Sequence, residues 1–111
     1  MAINVTGKNI MLDALGTSAG YMALYSDVGA TVEITGGTYA RKAITWSAAS
    51  GGSKAVSGSP VFDVPAGATV RAIGVCSTLT GGTQHAFDDV TAETFAGAGT
   101  YTATSFTVGM T

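Results

Sequence analysis

The turn signals Gly36–Gly37, Gly51–Gly52, Pro65–Ala66–Gly67 and Gly81–Gly82 cut the chain after Gly16 into short segments. Several of these segments alternate with period two. In Tyr21–Ser26, Tyr21, Ala23 and Tyr25 oppose Met22 and Leu24. In Ala43–Ala48, Ile44 and Trp46 oppose Ala43, Thr45 and Ser47. Pro60–Val64, Thr69–Ser77, Thr83–Asp88 and the long run Gly99–Val108 complete the set of expected strands. No helical pattern follows each strand, which argues against a parallel α/β sheet. The turns recur without fixed spacing, which argues against a repeat array. The expectation is an all-β fold, an antiparallel β-sandwich of jelly-roll type formed by one domain spanning residues 1–111.

One helix is expected before the strands, within Thr6–Gly16 (TGKNIMLDALG). Thr6 is a suitable cap and Gly16 fits the position just past the end. Ile10 and Ala14 share one face, and Met11 and Leu15 the adjacent one. A helix of about ten residues does not stand alone in water, so it must pack, and a sheet is the expected partner. Ile44, Trp46, Val61, Val70, Ile73 and Phe106 are the expected core.

Composition narrows the function. A chain of 111 residues supports a single core. Only 11% of it is charged, against roughly 25% in an average soluble domain, while sixteen residues are glycine. So little charge on one domain suggests a surface partly buried against neighbours. The net charge of −2 argues against a nucleic-acid partner, which requires a basic footprint. The lone cysteine, Cys76, has no partner for an internal disulfide and reads as a buried, inert thiol. Met1–Gly7 lacks the basic and apolar regions of an export signal, so the Asn4–Val5–Thr6 sequon carries no expectation of glycosylation. Apolar runs stay far below the roughly 18 residues of a membrane span, and no membrane partner is expected.

Catalytic patterns are weak. Gly16–Thr17–Ser18–Ala19–Gly20 matches G-x-S-x-G, but that elbow needs a strand before it and a helix after, the reverse of the order expected here. His85 is the only histidine and reads as a solvated or interface residue on a short strand. Asp88, Asp89 and Glu93 lack the ligand spacing and central glycine of a calcium loop and read as a solvated acidic turn. Phosphate-loop, dinucleotide, paired-cysteine and zinc-protease motifs are absent. The expectation is no enzyme, no cofactor, and no catalytic or metal-binding residue.

The stretch Glu33–Trp46, EITGGTYARKAITW, resembles a segment of small virion proteins of tailed bacteriophages that reads E-V-T-G-G-x-Y-A-R-x-x-[IV]-T-[WF]. The resemblance continues in order through Ala48–Gly52, Phe62–Gly67, Val70–Val75, Thr80–Thr83 and Glu93–Thr104, and so covers most of the chain. It implies a structural virion protein made in the bacterial cytoplasm, and transfers no catalytic residue. Small size and the lack of any shaft repeat favour a capsid decoration (cementing) protein on the head. The alternative is a minor tail, tail-tip or fibre protein that binds host glycans through exposed tyrosine and tryptophan. Expected partners are further copies of the chain, with a trimer favoured, and the major capsid protein or tail components. Within Thr38–Lys42, Tyr39 is the candidate aromatic anchor and Arg41 the candidate charge-pairing group of a subunit contact, with Lys42 on the opposite face. The plainer reading of the same segment is a hairpin edge carrying solvated charges.

Overall fold

The computed structural model describes residues 3–109. Helix α1 (Val5–Ser18) precedes strands β1 (Tyr21–Tyr25), β2 (Lys42–Ala43), β3 (Thr45–Trp46), β4 (Ser53–Ser57), β5 (Val61–Val64), β6 (Thr69–Cys76), β7 (Gln84–Thr94), β8 (Gly99–Thr102) and β9 (Thr107–Gly109). The fold is mostly β with one helix, and every strand pair is antiparallel. One sheet has the order β2-β1-β6-β7; the others are β3-β4-β9 and β5-β8.

The two smaller sheets are continuous in space. Between the β4·β9 and β5·β8 ladders, the Val56 N–H donates to the Phe106 carbonyl (3.0 Å) and the Ala103 N–H to the Pro60 carbonyl (2.9 Å). Residues 53–64 therefore run beside residues 99–109 as one bent ribbon. The segment 42–46 links this ribbon to the large sheet. Lys42 and Ala43 pair with β1, Thr45 and Trp46 pair with β4, and the Ile44 N–H between them donates to the Gly20 carbonyl (2.9 Å). On the far side, among the described residues, there is no such link. β7 pairs only with β6 and β8 only with β5.

Period-two alternation builds the core. Met22 and Leu24 of β1, Val70, Ile73 and Val75 of β6, and Phe62 and Val64 of β5 meet Ala103 and Phe106 in one buried cluster. Each large apolar side chain placed there contributes roughly 1.5–3 kcal/mol relative to exposure. The opposite face of β1 and β6 carries Ala23, Tyr25, Ala72 and Cys76, covered by Ala30 from the following loop. Gly74 lies on that face because a Cβ there would come within 2.6 Å of the Tyr25 ring.

Several expectations are corrected. Of the expected core, Val70, Ile73 and Phe106 are buried, whereas Ile44 and Trp46 are half-buried and Val61 is 49% exposed. Phe62 and Val64 take the inward positions of β5, and alternation sends Val61 out. Trp46 sits edge-on to Phe106 and donates from Nε1 to the Ala19 carbonyl (2.8 Å). The run Ala43–Ala48 divides into β2 and β3, and Gly99–Val108 breaks between β8 and β9. The Thr83–Asp88 strand continues to Thr94, and β4 lies where no strand was expected.

The helix differs most. Asn4 caps it, accepting from the Gly7 N–H (2.9 Å), and it runs on through Gly16 to Ser18. Leu12 alone is buried; Ile10 is 67% exposed and Met11 40% exposed. Leu12, with Leu15 packed on the core, faces inward, and a polar set beside them bonds the helix to the chain. The Asn9 side chain accepts from the Gly52 N–H (3.0 Å), and Asp13 accepts from the Ala49 N–H (3.1 Å) and from the Lys54 ammonium (2.7 Å). Lys54 is buried and also donates to the Ser47 carbonyl (2.9 Å). A side chain at Gly16 would collide with the Lys54 stem, so this glycine makes room for a lysine rather than ending the helix.

Candidate functional site

After β1 the chain reverses through Asp27, whose carboxylate accepts from the Thr31 and Val32 N–H groups. It then returns along the β1 edge: the Ser26 N–H donates to the Val32 carbonyl (2.9 Å) and the Ile34 N–H to the Leu24 carbonyl (3.0 Å). Residues 35–41 leave that edge, turning through Gly36 (φ 106°) and Gly37 (φ 58°), and the chain rejoins β1 at Lys42. Left-handed backbone at both positions explains the glycine pair.

The excursion leaves a gap in the ladder, and side chains fill it. The Tyr39 hydroxyl accepts from the Leu24 N–H (2.9 Å), the place of a strand carbonyl, and donates to Glu33 Oε2 (2.8 Å). Arg41 grips the same carboxylate with two prongs, Nε to Oε2 at 3.0 Å and Nη2 to Oε1 at 2.8 Å. Its Nη1 reaches across to the carbonyls of Thr78 (2.9 Å) and Gly81 (2.7 Å). The guanidinium side chain is 10% exposed and the carboxylate 26%. Arg41 therefore ties the 33–41 region to the turn between β6 and β7. Planar bidentate pairing of this kind is what arginine does and lysine does not.

Electrostatics follow the geometry. Burial pushes the Glu33 carboxyl up, but the hydrogen bonds from Arg41 and Tyr39 outweigh it and hold the group below the ordinary glutamate value of 4.5. The Tyr39 hydroxyl is pushed well up, chiefly by burial and then by the adjacent carboxylate. The hydrogen bonds to Glu33 raise Arg41 above its already high value. Within this network tyrosine and arginine keep their protons at any physiological pH.

The three candidate contact residues thus have different surroundings. Tyr39 is half-buried and stacks on Phe62 with ring centroids 6.5 Å apart. Arg41 has four donated hydrogen bonds, all within the chain. Its charge is paired by Glu33 rather than left for a neighbour. Lys42, on the β1 side of the linking segment, has no ion pair among the described residues. Sequence reasoning named Tyr39 and Arg41 but missed Glu33, the residue that joins them. Its signal was a carboxylate shortly before a glycine turn, with a cation shortly after it.

Among the described residues, neither Ser18 nor His85 forms a side-chain hydrogen bond, and no three metal-ligating side chains converge. Ser18 ends α1, with strand β1 after it. Asp88, Asp89 and Glu93 do not form the expected acidic turn; they lie within strand β7. Comparison of the chain with protein-family models, curated proteins and solved structures finds no match.

Proposed function

We propose that this chain is a non-enzymatic structural protein of a tailed-phage virion, a capsid decoration protein that works as a symmetric oligomer, with a trimer favoured. We read its two facing groups of strands as an antiparallel sandwich of jelly-roll type. The observation that carries the oligomeric part is the apolar surface that α1 leaves outside. Ile10 and Met11 lie on the outward side of α1 and are 67% and 40% exposed, while the helix meets the rest of the chain through Leu12, Leu15 and the side-chain hydrogen bonds of Asn9 and Asp13. A helix turned this way gives its apolar stripe to another molecule more readily than to water. The low charge of the chain removes the repulsion that would keep copies apart. The resemblance carried by Glu33–Trp46 supports the virion part of the reading.

The test has two arms. Gold-labelled antibody on intact particles should decorate heads; label confined to tails favours the tail-tip or fibre alternative, and no label on particles ends the virion reading. Light scattering of the purified chain should give a trimer that the double substitution Ile10→Asp/Met11→Asp converts to monomer. A wild-type monomer that also binds no capsid would remove the oligomer.

A further inference from the structure

β7 is the longest strand of the protein and an edge of its sheet. Its residues Gln84–Thr94 pair with β6 on one side, and among the described residues no backbone pairs with its other side. β8 is likewise unpaired beyond β5. Between the two free strands lies a concavity of about 610 Å³ lined by Ile73, Val90, Asp88, Glu93, Tyr101 and Thr102 among others. The Tyr101 hydroxyl is pushed up by burial and, secondarily, by the charge of Glu93. No cation among the described residues pairs with Asp88, Asp89 or Glu93. Asp89 is taken up in part by the Gly29 N–H (2.9 Å).

We infer that the free edge of β7 is a docking site for an extended basic segment of another polypeptide, which adds to the sheet as a strand beside the concavity. Strand addition to an open edge draws affinity from main-chain hydrogen bonds and specificity from alternate side chains. On the groove side β7 presents Asp88 and Val90 and, past the register shift opposite Val70–Ala72, Glu93 with its neighbours, so the segment they fit carries lysine or arginine alternating with apolar or hydroxyl residues. A second copy of β7 is a poor occupant. Antiparallel self-pairing would bring two sets of the same three carboxylates within a few residues of each other, and like charges facing across strands destabilise the pair. This inference stands apart from the virion reading and concerns only the chemistry of the edge.

The test uses the full chain and a capped synthetic peptide of about nine residues, Lys alternating with Val, which spans most of β7 at roughly 3.4 Å per residue. Two control peptides carry Glu in place of Lys, or the same lysines and valines in two blocks. Calorimetry should show binding of the alternating peptide that weakens with salt, and neither control should match it. Hydrogen exchange at backbone amides of Gln84–Thr94 should slow on binding, with smaller changes elsewhere. The double substitution Asp88→Asn/Glu93→Gln, which leaves the strand pairing intact, should weaken binding about tenfold. The inference is overturned by equal binding of the blocked peptide, by protection mapping away from β7, by no binding at all, or by dimerisation through β7 in place of peptide uptake.

Discussion

The two sides of the large sheet treat their charges in opposite ways. Along the β1 edge, Glu33, Tyr39 and Arg41 satisfy one another, and Arg41 adds two carbonyls from a distant turn. Along the β7 edge, Asp88 and Glu93 face an open groove with no cation to pair them and no strand to cover the backbone among the described residues. The sequence singles out the first region, because its charges stand beside a glycine pair and an aromatic. The structure makes that region internal bracing and leaves the second available. Residue type alone says little about which charges a protein offers to others; what decides it is whether each donor and acceptor already has a partner in the same chain.

If the β1 side is bracing, Arg41→Ala should have the largest effect on stability. It leaves a mostly buried carboxylate and two carbonyls without their donor, and should cost about 3 kcal/mol in urea unfolding. Arg41→Lys should recover little of it, because an ammonium does not reproduce the two-pronged grip. Full recovery by lysine would mean that only the charge matters there.

Tyr39→Phe keeps the ring against Phe62 and removes only the hydroxyl that stands in for a strand carbonyl. The Leu24 N–H is then unpaired, and a loss of about 1–2 kcal/mol is expected in the same assay. An unchanged midpoint would show that water or a shifted backbone fills the gap.

The acid limb of stability sharpens the comparison further. Glu33 titrates below its ordinary value in the folded protein, so its contribution is complete above pH 4.5 and is lost as pH falls through the depressed folded value. Unfolding free energy followed down through this window should fall more steeply for the wild type than for Glu33→Gln. Equal slopes would assign the acid sensitivity to other carboxylates such as Asp13 or Asp27, which are also held low.

The smallest effect is expected on the open side. Asp88→Asn/Glu93→Gln should change the stability of the isolated chain by no more than about 0.5 kcal/mol, as exposed positions without partners usually do. A loss comparable to that of Arg41→Ala would erase the contrast between the two edges.

Much of the strand content is legible in the chain, because alternation in Tyr21–Ser26 and Thr69–Ser77 depends only on which residues avoid water. β4 is not legible: Ser53–Ser57 (SKAVS) places a lysine at a buried position, which reads as solvent-facing until Asp13 and the Ser47 carbonyl are brought to it. The candidate site is half legible for a related reason. Tyr39 and Arg41 stand out by type, but their shared partner Glu33 and the Thr78 and Gly81 carbonyls are brought to them only by the turn at Gly36–Gly37 and the path of β6.

By itself the sequence determined a mainly β chain, with its glycine turns, a helix at the start and low charge, since these follow from local backbone preference and from the period of apolar residues. Only the tertiary structure decided which way the helix faces, which arginine is spent internally, and which sheet edge stays open. Local periodicity marks a face as apolar or polar but not what lies opposite it. In α1 the pairs Asn9–Gly52 and Asp13–Lys54 fix the side that meets the chain, with Leu12 buried beside them, and leave Ile10 and Met11 in water. Contacts between residues some forty positions apart settled that orientation, and no short stretch of sequence contains both partners.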